Sequence, residues 1–209
     1  MSLFLSFEGG EASGKSVQAQ RLVARLTAAG HDVLLTREPG GTPLGERIRE
    51  VVLHTRDLTF TPEAEALLFT TARAQLTRDV IRPALARGAI VIADRFFDST
   101  FAYQGHGRGA DLAGLQAITR FAVGDTRPDR TFVLDVPVDV AFARRREPAQ
   151  WDRIEAAERS FHERLRTGYL ELAAAEPGRI VVIRGDRDEE TVAGDIARAV
   201  DAVLVPSRE

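Results

Sequence analysis

The chain contains no cysteine. Disulfide staples and thiolate metal sites are therefore excluded. Lysine is almost absent: it occurs once, at position 15, among 28 basic residues. Long apolar runs are missing too. The longest dense run, Ala89-Ile90-Val91-Ile92-Ala93, is far too short to span a bilayer. No excess of charge stands out, because 28 basic residues face 31 acidic ones and the net charge is only −3. A global basic field for nucleic acid is thereby excluded. Linkers, low-complexity tracts and internal repeats are lacking as well. The first residues, Met1-Ser2-Leu3-Phe4-Leu5, carry no basic segment and read as a strand, not a signal peptide. A cytoplasmic enzyme of one domain, residues 1–209, is the expectation.

What is present is an alternation of short apolar runs with helical segments. Strands are expected at Leu3–Phe7, Val33–Thr36, Ala89–Asp94, Thr131–Val136 and Arg179–Ile183. Helices are expected at Lys15–Ala29, Leu44–Leu53, Leu112–Val123, Val138–Arg146, Ile154–Ala175 and Glu189–Leu204. A further long helix starts at Thr61-Pro62, with Thr61 as cap and proline at its first position. It runs towards Arg87, with a bend at Pro83. This order implies an α/β fold: a five-stranded parallel sheet covered by helices on both faces. Ligands of such sheets sit beyond the carboxyl ends of the strands.

The single lysine stands in Gly9-Gly10-Glu11-Ala12-Ser13-Gly14-Lys15-Ser16, between a strand and a helix. The spacing is that of a phosphate-binding P-loop and predicts the P-loop NTPase fold. Glycines let backbone N–H groups turn onto phosphates, and the helix N-terminus favours negative charge. A lysine ammonium is a compact charge on a flexible stem, suited to reaching the β- and γ-phosphates. Ser16 is placed to ligate Mg²⁺. Glu8 and Glu11 sit beside a bound polyphosphate. Glu8 either holds a magnesium-bound water or is a solvated glutamate. Glu11 either faces a hydroxyl of an acceptor's sugar or is solvated. Asp94 ends an apolar strand in the manner of an acid that serves Mg²⁺, and Arg95 beside it offers a fork for a second phosphate. The same two residues also fit a simple ion pair. Arg37 has the same two readings.

Three blocks together carry a resemblance: Glu8-Gly9-Gly10-Glu11 with Gly14-Lys15-Ser16, Arg37-Glu38-Pro39-Gly40-Gly41-Thr42, and Asp94-Arg95-Phe96 followed by Ser99-Thr100, Tyr103-Gln104-Gly105. Arg127-Pro128-Asp129, Leu134-Asp135-Val136 and Asp152-Arg153-Ile154-Glu155 continue it. In order and spacing, from Ser2 to Ala175, the chain resembles the thymidylate kinases. The resemblance implies transfer of the γ-phosphoryl group of ATP to dTMP, with Mg²⁺, on the path to dTTP. Matched by position, Phe69 stacks on thymine, while Arg73 hydrogen-bonds the base. Thr100, with Ser99 and Gln104 nearby, meets the base edge. Tyr103 lies under the sugar and disfavours a 2′-hydroxyl. Glu11 faces the 3′-hydroxyl, and Arg37 and Arg95 hold the acceptor phosphate. A homodimer packed through long helices is implied as well.

The resemblance also implies a lid over residues 143–154. The P-loop lacks the arginine found in one variant of the family, so the chain resembles the bacterial type, whose lid supplies it. Arg144, Arg146 and Arg153 match lid positions. Arg145 is additional, and Pro148 stands where related enzymes can carry a lid arginine. Lys15, Glu11, Arg95 and these lid arginines are the expected catalytic set. By position, Arg184-Gly185-Asp186-Arg187 borders the adenine, with Arg144 beside Gly185, Asp186 and Arg187. The acceptor phosphate is already a nucleophile at neutral pH, so no side-chain base is expected.

Overall fold

The computed structural model describes residues 2–55, 57–144, 152, 154 and 157–204. Strands β1 (Leu3–Glu8), β2 (Val33–Arg37), β3 (Ile90–Asp94), β4 (Arg130–Asp135) and β5 (Ile180–Arg184) form one parallel sheet in the order β2-β3-β1-β4-β5. All six residues of β1 are buried, as the central strand of a sheet covered on both faces requires.

The two-residue strand period divides the core. Leu3, Leu5 and Phe7 point into one cluster with Leu26 of α1 (Lys15–Ala28) and Ile196 of α9 (Glu189–Leu204). Phe4 faces the other side, with Leu76, Ile81 and Phe96. Helices α1 and α9 thus cover one face. The opposite face carries α3 (Pro62–Leu76) and α8 (Arg159–Ala175).

Local chemistry sets the helix starts. Thr42 Oγ1 accepts from the Gly45 N–H at 3.0 Å to open α2 (Pro43–Arg49), which widens into a π-helical turn at Glu50–His54. Thr61 Oγ1 does the same for α3 with the Ala64 N–H at 3.2 Å. Asp111 caps α6 (Leu112–Val123) through the Gly114 N–H at 2.7 Å. The long helix expected to run towards Arg87 is divided before Pro83. A π-helical stretch, Thr77–Ile81, precedes α4 (Arg82–Ala86), whose second residue is that proline without an N–H.

Three expectations need correction. Phe97–Gly107 is helical, as α5 (Phe97–Thr100) running into π-helical turns at Phe101–Gly107, where no element was expected. Helix α8 starts at Arg159 and not at Ile154. Ile154 lies in a turn instead, where its N–H donates to Asp152 Oδ1 at 2.8 Å. Strands β4 and β5 are each displaced by one residue from the expected spans, because their pairing is set by the Leu5↔Arg130 and Thr131↔Ile180 registers. Helix α7 (Val138–Arg144) ends the described part of its segment, so the helix expected to continue to Arg146 lies partly outside the described residues.

Candidate active site

The P-loop begins where β1 ends. Gly9 has φ 134°, and a Cβ there would sit 2.6 Å from the Leu134 carbonyl oxygen, so only glycine fits. Ala12 and Gly14 also take positive φ, turning the loop back on itself before α1. Lys15 Nζ donates to the Gly10 carbonyl at 2.6 Å and to Ser13 Oγ at 3.3 Å. The ammonium is folded under the loop. Burial and the nearby Arg95 lower its pKa to about 8, against the opposing pull of Glu11, Asp94 and Glu8. Ser16, at the open start of α1, donates its hydroxyl to Asp94 Oδ2 at the end of β3. A hydroxyl beside a carboxylate is a hard-oxygen pair. It fits Mg²⁺, which binds few protein ligands and keeps its waters.

Two of the clefts beside this loop bear on its chemistry. One lies between the P-loop, α3 and α5 with its π-helical extension. Glu11, Phe69, Arg73, Arg95, Thr100 and Tyr103 all line it, with Ser99 and Gln104. The other is lined by Ala12, Ser13 and Gly14 of the same loop together with Arg144, Gly185 and Arg187. Arg144 Nη1 donates to the Gly185 carbonyl at 2.9 Å, which ties α7 to the loop after β5.

Arg73 is the most enclosed charge in the first cleft, at 1% exposure. Its Nε donates to Glu38 Oε2 at 2.8 Å, and its Nη1 donates to Thr100 Oγ1 at 2.9 Å. Its Nη2 reaches the Phe96 carbonyl at 3.3 Å and Glu38 at 2.6 Å. Burial pushes the Glu38 carboxyl up to about 7, although Arg73 pulls the other way.

Arg95 has φ 73°, the left-handed region, and this turn aims its side chain back over the P-loop. Its Nη2 meets Glu11 Oε1 at 2.5 Å and its Nη1 meets the Gly9 carbonyl at 3.1 Å. The guanidinium lies over the Tyr103 ring, 4.8 Å from its centroid. Tyr103 donates its hydroxyl to the same Glu11 oxygen at 2.6 Å. Burial alone would raise the Glu11 carboxyl, but Arg95, Lys15 and Tyr103 hold it at about 2.

Several expected residues sit elsewhere. Glu8 was expected to hold a metal-bound water, as one of two readings. It is wholly buried, and its oxygens take hydrogen bonds from the Phe96 N–H, the Ser99 hydroxyl and the Tyr169 hydroxyl. Arg37 does not line the first cleft. It pairs with Glu46 at 3.0 Å on the surface, and Arg49 of α2 lines the wall instead. Asp186 pairs with Arg184 at 3.1 Å and does not line the second cleft. Gln104 lines the first cleft while donating to Glu65 at 2.7 Å. Arg145, Arg146, Pro148 and Arg153, and with them most of the lid, lie outside the described residues. Sequence reasoning missed the roles of Glu38, Arg49 and Tyr169. Glu38 stood inside the Arg37–Thr42 block that carries the resemblance, which gave it no role of its own. The other two gave no local signal.

A family model described as thymidylate kinase matches residues 7–196. A thymidylate kinase of Thermomicrobium roseum is 49% identical over 209 residues, covering 100% of this chain and 99% of its own. One from Pseudomonas fluorescens is 48% identical over 202 residues, covering 97% and 94%. The crystal structure of thymidylate kinase from Ehrlichia chaffeensis superposes with a TM-score of 0.78 at 31% identity, covering 95% of this chain and 98% of that one. The P-loop, these two clefts beside it and these matches across nearly the whole sequence agree, and the chain belongs to the thymidylate kinase family.

Proposed function

We propose that the chain transfers the γ-phosphoryl group of ATP to dTMP, giving dTDP and ADP, in the synthesis of dTTP. One observation carries the reading: consecutive residues of a single loop line different clefts, Glu11 the first and Ala12 to Gly14 the second. A donor and an acceptor in those clefts meet at the P-loop, where in-line transfer requires them.

In the first cleft Phe69 stacks on the thymine, Arg73 and Thr100 meet the base, and Ser99 and Gln104 complete that wall. Tyr103 lies against the sugar and Glu11 faces its 3′-hydroxyl. Arg95 meets the acceptor phosphate from the pose in which its Nη1 lies by Ser99 and Tyr169, with Arg37 or Arg49 at the rim. In the second cleft the adenine lies by Gly185 and Arg187, next to Arg144, and Asp186 helps hold the loop.

An acceptor oxygen attacks the γ-phosphorus while its bond to the β–γ bridging oxygen breaks, and the electron pair leaves with ADP. No side chain needs to remove a proton. Lys15 and the loop N–H groups stabilise charge on the donor, Arg95 does so on the acceptor, and Arg144, Arg146 and Arg153 of the lid close over both and exclude water. Ser16 and Asp94 would hold Mg²⁺, which supplies further positive charge to the donor phosphates when bound.

Small molecules are the partners of both clefts. A second copy of the chain is the remaining partner of this reading. It would cover the exposed Leu67 of α3 and Phe121 of α6, two helices that pack on each other. The setting is cytoplasmic; among the described residues no helix is long and apolar enough to cross a membrane. Incubation with dTMP and γ-labelled ATP tests the reaction: label must appear in dTDP. Label released only as inorganic phosphate would reject it.

A further inference from the structure

Arg95 occupies a backbone conformation that costs a non-glycine residue roughly 1–3 kcal/mol unless its surroundings impose it. The surroundings here are specific. The Arg95 N–H donates to the Phe7 carbonyl at 2.9 Å, so β1 still holds the chain before the turn. Immediately after the turn the Phe96 N–H leaves the sheet ladder and donates to Glu8 Oε1 at 2.7 Å. The Glu8 side chain therefore replaces the strand partner that the turn removes.

The other oxygen of Glu8 reaches the far end of the same residue. Oε2 accepts from the Ser99 hydroxyl at 2.6 Å and from the Tyr169 hydroxyl at 2.9 Å. Those two hydroxyls lie 3.0 Å apart, and 3.3 Å and 3.4 Å from Arg95 Nη1. Each has a lone pair left for the guanidinium once its proton is given to Glu8. Burial, followed by the charge of Glu8, keeps the Tyr169 hydroxyl protonated well above the ordinary tyrosine range, so it stays a donor. Glu8 does not touch the cleft; it is absent from its lining and 0% exposed.

We propose that Glu8, acting through Ser99 and Tyr169, is a positioning residue that fixes both the backbone turn and the guanidinium of Arg95 towards the acceptor phosphate. The inference rests on the assignment of Arg95 to that phosphate. It gives the buried carboxylate of the P-loop strand a task distinct from metal binding, and it adds Tyr169 of α8, far along the chain, to the acceptor side of the site.

A double-mutant cycle tests it. Glu8→Gln should lower kcat/KM for dTMP by about tenfold, the scale of one charged hydrogen bond, with the KM for ATP held within about twofold. Tyr169→Phe should act in the same direction by about threefold. Introduced into Arg95→Ala, either change should cost little more than Arg95→Ala alone, because its target is gone. Losses that multiply in the double variants would overturn the proposal, as would a Glu8→Gln enzyme that loses affinity for ATP and dTMP equally. Tyr169→Phe runs the same cycle should Glu8→Gln fail to fold. An Arg95→Ala enzyme with normal kcat/KM for dTMP would instead reject the underlying assignment of Arg95.

Discussion

Arg73 and Glu38 form an ion pair inside the first cleft, with Nε 2.8 Å from Oε2 and neither residue more than 6% exposed. Such a pair contributes less to stability than its Coulomb attraction suggests, since both charges have left water. Its value lies in direction. With Nε and Nη2 on Glu38 and Nη1 on Thr100, the guanidinium plane has one orientation open to it. Breaking the pair from one side leaves a buried charge alone. Arg73→Ala is therefore expected to destabilise the fold by about 3 kcal/mol and to raise the KM for dTMP more than tenfold, with kcat for saturating dTMP less affected. Thermal melting and steady-state kinetics measured well below the melting temperature separate the two effects. An unchanged kcat/KM would count against the base contact.

The same pair predicts a pH effect of definite sign. Burial raises the Glu38 carboxyl from 4.5 to about 7. The folded state thus binds more protons than the unfolded state between those values, and the contribution of Glu38 to stability is lost as pH rises through the window. Glu38→Gln removes that titration. Its melting temperature relative to the native sequence should increase from pH 5 to pH 8, and a difference that is flat or decreasing would contradict the assignment. Glu11 behaves oppositely. Its pKa is depressed to about 2, so its contribution is lost only as pH falls below about 4.5.

Lys15 is buried, and its pKa is lowered to about 8, so its charge carries a desolvation cost at neutral pH. Lys15→Ala removes that cost with the charge. Turnover should fall by about a hundredfold or more while the melting temperature stays level or rises. Near-normal kcat in a folded variant would contradict its place at the donor phosphates.

The contact between Ser16 and Asp94 joins the P-loop helix to β3. Ser16→Ala and Asp94→Asn should each raise the Mg²⁺ concentration needed for half-maximal rate by about tenfold, and excess chelator should abolish the activity of the unaltered enzyme. A magnesium titration at fixed ATP measures both. Titration curves that superpose on that of the unaltered enzyme would remove these two residues from the metal site.

The parts of this molecule visible in its sequence are those specified locally. Five apolar runs became five strands, and Gly9 to Ser16 became the loop between β1 and α1, because turn chemistry and burial act over a few residues. Thr61 acts as a cap for the same reason. What stayed hidden is set by distant partners. Tyr169 looks like one more apolar position of α8, and only the fold brings its hydroxyl to Glu8, 161 residues away. Arg37 and Arg49 are both arginines near the same turn, but Glu46 draws the first outward, and nothing in their spacing separates them. No element is expected over Phe97–Gly107 because its glycines and polar residues mask a helix widened into π turns.

On the proposed function, the first cleft selects dTMP. ADP release from MgATP, measured against dTMP, dUMP, UMP, CMP, AMP and GMP, tests it most directly. The highest kcat/KM is expected with dTMP, with weaker use of UMP because Tyr103 would oppose a 2′-hydroxyl, and little use of AMP or GMP. Faster turnover with either purine monophosphate than with dTMP would contradict it.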